Sequence, residues 1–293
     1  MFEIIDKIIL NKYTSKMTLK APYIANSAKA GQFVIIRIDD KGERIPLTIA
    51  DFDDKKGTID IIYQKVGFTT RKLDNKNKGE SILDVVGPLG QPSNLTGYKN
   101  ALLVVGGSGC AIAYPQAKAL SMNNAKVGVI CGFRNKDFII LEKELSSISD
   151  SFDILTDDGS NSRKGLVTDA LLNRIKIDST IDLVISVGPL PMMKAVCNIT
   201  RPFRIKTIVS MNTIMIDGTG MCGGCRLTVG GKTKFACIDG PDFDGHDVDF
   251  DEAILKSKVY LNTENFLSSS CHLSKNFKSL EGEKIQIDEE SGV

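Results

Sequence analysis

The chain has 293 residues, more than one compact core of ordinary size needs, so we expect two domains and a small third module. Its apolar share of 42% and charged share of 25% are typical of a globular protein. The formal net charge of +1 argues against nucleic acid or an anionic membrane as a partner. The N-terminus carries acids among its apolar residues, and no apolar run approaches the ~18 residues of a spanning helix, so we expect a cytoplasmic protein.

Residues 1–97 are predicted to form an antiparallel β-barrel. Short apolar runs alternate with turn-forming clusters of Asp, Asn, Lys and Gly, which is the spacing expected of a small barrel. The clearest strands are predicted at 33–38, 45–51, 58–66 and 81–90. A short helix is predicted at 68–75.

Residues 98–210 are predicted to form a parallel-sheet α/β domain. Unbroken apolar runs alternate with segments of helical length, a pattern typical of strands buried on both faces. The strands are predicted at 101–105, 126–133, 151–158 and 181–188.

Two glycine-containing loops follow predicted strands of this domain. Gly106, Gly107, Ser108 and Gly109 come between a strand and a helix, where glycine lets a pyrophosphate approach the backbone at a helix N-terminus. An ordinary strand–helix turn explains the same residues about as well. Gly188 and Pro189 follow a later strand and equally fit a plain helix start.

The choice of nucleotide depends on charges near the adenosine ribose. Asp157 and Asp158 end a predicted strand, and a carboxylate there would bond the ribose hydroxyls and repel a 2′-phosphate. Arg134 and Arg163 argue in the opposite direction. We favour NAD(H) over NADP(H).

Residues 211–262 are predicted to form a loop-rich [2Fe–2S] module, followed by a polar tail at 263–293. Asp217, Cys222, Cys225 and Cys237 match the intervals of a plant-type cluster motif, with Asp at the first position. Glycines at 218, 220, 223 and 224 would let the loop wrap a cluster. A Zn²⁺ site is the alternative, and Cys271 is the alternative fourth ligand.

One strand of the barrel resembles the flavin-binding strand of the ferredoxin–NADP reductase superfamily. Its residues are Arg44, Pro46, Leu47 and Thr48. The resemblance implies that Arg44 pairs with flavin phosphate and that Thr48 and the strand backbone contact the flavin ring of FAD. Gly67, Thr69 and Thr70 resemble the superfamily's phosphate-side turn, although Phe68 departs from the usual pattern.

Over residues 1–260 the chain resembles the small subunits of NADH-dependent reduced ferredoxin:NADP⁺ oxidoreductases, which are electron-bifurcating transhydrogenases. The most specific matches are DGTGMCGGC from Asp217 and FACIDGP from Phe235. The resemblance implies hydride exchange between NAD(H) and FAD, and single electrons passed through the cluster to a larger flavin and iron–sulfur subunit, which itself meets ferredoxin. A dihydroorotate dehydrogenase electron-transfer subunit is the alternative, although it has four cysteine ligands. A second alternative is a non-catalytic electron-relay subunit with a vestigial nucleotide site.

Overall fold

Seven antiparallel strands form the N-terminal part of the protein, whose computed structural model describes residues 1–259. The strands are β1 (Phe2–Asn11), β2 (Thr14–Lys20), β3 (Phe33–Arg37), β4 (Arg44–Asp53), β5 (Thr58–Gln64), β6 (Ser81–Ile82) and β7 (Asp84–Leu89). They are ordered β6-β1-β2-β5-β4-β3-β7. Only Leu83 separates the two edge strands along the chain, so the sheet curls until its edges nearly meet. The predicted barrel is confirmed.

Two short helices accompany the barrel strands. They are α1 (Pro22–Ser27) and α2 (Phe68–Asp74), and α2 confirms the helix predicted at 68–75. Inward-facing side chains such as Met17, Leu19, Ile49 and Ile61 are fully buried. Each such side chain stabilises the barrel by about 1.5–3 kcal/mol.

A second sheet of six strands follows in the chain. Its parallel strands are β8 (Asn100–Gly106), β9 (Lys126–Phe133), β10 (Ser151–Thr156), β11 (Leu183–Val187) and β12 (Lys206–Ser210). The helices are α3 (Cys110–Met122), α4 (Glu142–Ile148), α5 (Val167–Ile177) and α6 (Leu190–Thr200). Along β8, Leu103 and Val105 enter one core while Leu102 and Val104 enter the core on the other face. The predicted parallel sheet covered on both faces is confirmed.

The order β10-β9-β8-β11-β12 reverses direction between β8 and β11. In open parallel sheets of this kind, ligands bind beyond the carboxyl ends of the strands at that switch point. The ends of β8 and β11 are therefore the expected nucleotide site.

The C-terminal module contains more regular structure than predicted. A hairpin joins β13 (Arg226–Val229) to β14 (Lys232–Phe235), and α7 covers Phe250–Ser257. The strand β15 (Asp242–Asp244) pairs antiparallel with β12 and so extends the second sheet. The prediction of a module built from loops missed these pairings because such short strands carry little periodicity.

The module also contacts the end of the barrel. Gln91 donates its backbone N–H to the carbonyl of Gly240 at 2.6 Å and its side-chain amide to the carbonyl of Ile238 at 2.8 Å. The module thus touches both larger parts within the compact unit Met1–Ile254. Among residues 1–259, no helix is long and apolar enough to cross a membrane. The predicted tail, with Cys271, lies outside the described residues.

Candidate functional site

A cleft lies where the barrel, the second sheet and the module meet. Its walls come from β3 and β4, from α3, from the end of β12 and from the segment after it. The lining residues are Phe33, Pro46, Leu47, Thr48, Ile112, Ser210, Met211, Asn212, Met215 and Pro241. Three of the residues predicted to contact flavin therefore line one wall.

The cleft suits a flat, mostly apolar ring with a few polar edges. Apolar side chains dominate its walls, and Thr48, Ser210 and Asn212 supply polar groups. The hydroxyl of Thr213, next in the chain to Asn212, is shielded from solvent and has no hydrogen-bond partner among the described residues. A buried polar atom without a partner is expected where a polar ligand completes the site. The residues present therefore fit a flavin.

The two segments predicted to bind phosphate lie side by side. Arg44 is exposed at the start of β4. The Thr69 hydroxyl donates to the carboxylate of the adjacent Glu43 at 2.8 Å, and the Gly67 N–H donates to Thr70 Oγ1 at 3.1 Å. The Thr69 and Thr70 hydroxyls are thus already engaged within the protein.

The predicted nucleotide loops come together at the switch point of the second sheet. A Cβ atom on Gly188 would lie 3.1 Å from Gly106 Cα, and one on Gly106 would lie 2.9 Å from Pro189 Cδ. A Cβ atom on Gly109 would lie 2.5 Å from the carbonyl oxygen of Val187. These glycines permit a close approach of two backbones, which an ordinary strand–helix turn does not require.

Asp157 lies at the same edge of the sheet, beyond the end of β10. Its side chain is exposed, and β9 separates its strand from β8. Arg163, which argued for NADP(H), pairs with Asp153 at 2.6 Å, as does Arg174 at 2.8 Å. Burial opposes ionisation of Asp153, yet the two guanidinium groups hold its pKa below the usual range. The Arg163 side chain is thereby directed to a carboxylate of its own domain.

The four predicted cluster ligands form two pairs. Cys225 Sγ lies 3.2 Å from Cys237 Sγ, and Asp217 Oδ1 lies 3.6 Å from Cys222 Sγ. A [2Fe–2S] cluster takes two protein ligands on each iron, so two pairs are the arrangement that such a cluster needs. Within residues 1–259, no three His, Cys, Asp or Glu side chains are grouped as they would be around a single metal ion.

Glycines and backbone N–H groups shape the loop around these ligands. Gly218, Gly220 and Gly223 have φ values of +74°, +86° and +68°, which side chains disfavour, whereas Gly224 does not share this conformation. Gly224 instead donates its N–H to Cys222 Sγ at 3.5 Å. A Cβ atom on Gly218 would lie 2.8 Å from barrel side chains, so this loop packs directly on the barrel.

Asp217 also organises the loop as a turn residue. It accepts hydrogen bonds from the backbone N–H groups of Thr219 and Cys222, both at 3.0 Å. The Thr219 N–H is the largest influence on the Asp217 carboxyl and, with the Cys222 contacts, lowers its pKa. In contrast, burial, reinforced by Cys225, raises the pKa of Cys237 to about 12, so a metal ion would have to displace that proton on binding.

The two pairs differ in their access to solvent. Cys225 and Cys237 are 1% and 2% exposed, whereas Cys222 is exposed and Asp217 is half-buried. Large exposed apolar side chains lie near the accessible pair in the chain or, for Ile238, against its loop at Gly220, and we call them the apolar rim: Ile214, Ile216, Met221 and Ile238. One side of the candidate cluster site therefore faces the protein surface.

Several cleft residues escaped the sequence analysis. Met211 and Met215 line the cleft although they precede the cysteine motif and carry no signature of their own. Cys110 is fully buried with its thiol 3.7 Å from that of Cys131, which indicates a packing role and not a contact with the nicotinamide. Cys131 and Cys197 are also buried thiols.

Together, the barrel cleft, the switch-point loops and the paired ligands define a class of protein. A chain with these three sites is a flavin- and nicotinamide-dependent oxidoreductase subunit with an iron–sulfur module.

Comparisons with known proteins narrow this class to a family. The family model for the iron–sulfur cluster binding domain of dihydroorotate dehydrogenase B matches residues 212–249. A Thermotoga maritima homologue of the dihydroorotate dehydrogenase B (NAD⁺) electron-transfer subunit is 44% identical over 262 residues, 89% of this chain and 92% of the relative. The dihydroorotate dehydrogenase B (NAD⁺) electron-transfer subunit of Fusobacterium nucleatum is 33% identical. The match covers 84% of this chain and 96% of the relative.

A solved structure agrees with these relatives. One chain of a solved NADH-dependent reduced ferredoxin–NADP oxidoreductase is 43% identical to this chain, with a TM-score of 0.85. That structure was described in connection with flavin-based electron bifurcation. The match covers 91% of this chain and 96% of that one. This chain belongs to the family of dihydroorotate dehydrogenase B-type electron-transfer subunits. The predicted family is confirmed, and its FAD, [2Fe–2S] cluster and NAD(H) are the cofactors of this electron-relay subunit.

Proposed function

We propose that this chain is the small subunit of an NADH-dependent reduced ferredoxin–NADP oxidoreductase, a ferredoxin-dependent transhydrogenase. The observation that carries this assignment is the pairing of Asp217 with Cys222 at 3.6 Å, at the place of the first cluster ligand. Resemblance associates an aspartate there with the transhydrogenases and a cysteine with the dihydroorotate system. The 43% identity to the solved oxidoreductase chain supports the same choice.

FAD would occupy the cleft between barrel and module. Pro46, Leu47 and Thr48 would contact the ring, because they already line that cleft. Arg44 would pair with the phosphates, helped by backbone groups near Gly67 rather than by the engaged hydroxyls of Thr69 and Thr70. When bound, the flavin supplies a chemistry that amino-acid side chains lack: it exchanges a hydride with the nucleotide and single electrons with the cluster.

NAD(H) would bind across the switch point beside this cleft. A Cβ atom on Gly107 would meet nothing within 4 Å, so this residue leaves open space for a pyrophosphate at the start of α3. The residues proposed to hold it are Gly106, Gly107, Ser108, Gly109, Gly188 and Pro189. Asp157 would contact the ribose and disfavour a 2′-phosphate, and the engagement of Arg163 by Asp153 supports this preference.

The cluster would be ligated by Asp217 and Cys222 on one iron and by Cys225 and Cys237 on the other. The buried pair lies on the inner side, and the accessible pair lies within the apolar rim. An exposed apolar patch beside a redox centre is suited to a protein partner. We propose that a larger flavin and iron–sulfur subunit covers this face in the cytoplasm and itself exchanges electrons with ferredoxin.

Two alternatives make different predictions. A dihydroorotate dehydrogenase electron-transfer subunit is compatible with the names of the relatives, and reduction of the holoprotein by dihydroorotate with a dehydrogenase partner would favour it. A vestigial nucleotide site predicts that no nicotinamide nucleotide binds.

An anaerobic visible titration of the purified holoprotein tests the proposal. We expect NADH to bleach both the flavin and the cluster bands, while NADPH at the same concentration bleaches little. The large subunit, added next with ferredoxin and NADP⁺, should then complete turnover. A flavin that is present but is bleached by neither nucleotide, with or without the large subunit, would contradict the assignment.

A further inference from the structure

The carboxyl group of Asp242 lies behind the wall of the cleft, where three parts of the chain meet. Its Oδ2 atom accepts hydrogen bonds from Ser93 Oγ at 2.6 Å and from Gln116 Nε2 at 2.8 Å. Ser93 follows the barrel, Gln116 belongs to α3 and is fully buried, and Asp242 begins β15. The residue as a whole is half-buried, but its Oδ1 atom is shielded from solvent.

Two acceptor atoms in this group have no donor. Asp242 Oδ1 and Gln116 Oε1 are both buried, and neither has a hydrogen-bond partner among the described residues. A buried acceptor without a partner costs about 1–3 kcal/mol. A proton on Oδ1 would turn one of these two acceptors into a donor. The contacts therefore fit a neutral carboxylic acid.

The neighbours of Asp242 connect it to the cleft. Asp242 is paired with Ser210 across β12 and β15, and both Ser210 and Pro241 line the cleft. Ile112 lines the cleft one helical turn before Gln116, on the same face of α3. The residue that carries the carboxyl group is therefore an immediate neighbour of two residues that line the cleft.

Within the part of the chain that the structure describes, no cationic side chain pairs with this carboxyl group. Burial is the largest influence and raises the pKa of Asp242, opposed only by the uncharged neighbours Ser93, Ser210 and Gln116. The charged side chains on the surrounding elements pair with one another: Lys118 of α3 with Asp51 of β4 at 2.8 Å, and Lys206 of β12 with Asp244 of β15 at 2.6 Å.

The proposed function creates a need for a proton at this place. A hydride carries two electrons and one proton, whereas an iron–sulfur cluster passes electrons alone and one at a time. When a hydride enters the cleft and its two electrons leave through the cluster, one proton remains to be released. When the electrons flow the other way, one proton must be supplied.

We propose that Asp242 holds and exchanges this proton, with the Ser210 hydroxyl as the relay to the cleft. When electrons arrive from the cluster, the Asp242 O–H bond breaks, its proton passes to Ser210, and Ser210 gives its own proton to the cleft. The carboxylate that remains is stabilised by the donors from Ser93 and Gln116. When the electrons go on to the nucleotide as a hydride, the carboxylate regains a proton from solvent, to which the residue is partly exposed. In the opposite direction, Asp242 first loses its proton to solvent and then takes up the proton that is released in the cleft as electrons leave through the cluster. This inference rests on the proposed function.

Infrared spectroscopy of the Asp242→Asn variant tests the protonation state without any turnover. Asparagine keeps an acceptor and adds an N–H donor, so it imitates the neutral acid and should preserve the fold. In the oxidised holoprotein at neutral pH, we expect a carbonyl band of a protonated carboxyl group that is absent from Asp242→Asn and retained in Asp244→Asn. A band that persists in Asp242→Asn, or is absent from the wild type, would overturn the inference.

Stopped-flow kinetics test the exchange of the proton. Electron transfer between NADH and the cluster should slow by about 100-fold in Asp242→Asn, the lower end of what a positioned proton-transfer group contributes. Ser210→Ala should slow it similarly while keeping the infrared band, which a purely structural role would not produce. Equal rates in wild type and both variants would overturn the inference. If NADH fails to bleach even the wild type, the proposed function fails, and the infrared band still decides the state of Asp242.

Discussion

Replacing Gly109 by Ala tests whether the close approach of the two nucleotide loops is needed. Gly109 has φ −56°, an ordinary helical value, so alanine adds no backbone strain. Its Cβ atom, however, would lie 2.5 Å from the carbonyl oxygen and 2.9 Å from the carbonyl carbon of Val187. Because these are backbone atoms of a buried strand, the start of α3 or the end of β11 must move.

Overpacking of this kind costs about 1–3 kcal/mol. At about 2–4 °C for each kcal/mol in a chain of this size, the melting temperature should fall by roughly 2–12 °C. Displacement of the loops should also weaken NADH binding, measured by calorimetric titration of the holoprotein. The matched control is Gly165→Ala, whose Cβ would make an ordinary 3.5 Å contact with Leu155. If Gly109→Ala equals this control in both stability and NADH affinity, the switch-point argument is wrong.

Four further predictions concern charge and exposure. Asp217→Cys should retain a [2Fe–2S] cluster with a shifted reduction potential, while Asp217→Ala should lose the cluster. Unchanged cluster content and an unchanged EPR signal in the alanine variant would show that Asp217 is not a ligand. Asp157→Ser should raise affinity for NADPH relative to NADH by roughly fivefold, because one charge near a phosphate is worth on the order of 1 kcal/mol in water-like surroundings; an unchanged ratio contradicts the ribose assignment. The Thr180 hydroxyl, the Asn100 amide and the Thr180 N–H hold the pKa of Asp178 below its usual range, so the stability it adds is complete above about pH 4 and is lost as the pH falls. Urea unfolding should therefore show a shallower acid limb in Asp178→Asn than in wild type, and identical limbs would refute this. Met221→Glu should weaken binding of the large subunit by at least about tenfold, since a charge would be buried in an apolar contact. The control Ile177→Glu, on α5, should leave binding unchanged. Equal affinities of the two variants would place the contact elsewhere.

Much of the fold could be read from local pattern. The run 126–133 predicted β9 with the bounds that the structure has, because a strand buried on both faces must be apolar throughout. The run from Gly106 to Gly109 predicted a loop between a strand and a helix, and Gly106 and Gly109 lie too close to neighbouring residues to admit a side chain. The short strand β15 was missed, since its three residues gain their order from pairing with β12 and not from their own sequence.

The candidate site could be predicted only in part. The spacing of Asp217, Cys222, Cys225 and Cys237 predicted a ligand set, and the structure brings these side chains together in two pairs. The spacing does not record that one pair is buried and the other accessible, which depends on how the loop packs on the barrel.

The amino-acid sequence by itself predicted the three sites, since each is marked by short motifs whose residue types suit one chemistry. Only the tertiary structure decided what lies around those sites. It brought Met211 and Met215 to the flavin cleft, directed Arg163 to Asp153, and joined Ser93, Gln116 and Asp242 across 149 residues of chain. Such contacts leave no periodic signal, because each partner satisfies its hydrogen bonds or its burial only when distant elements pack together.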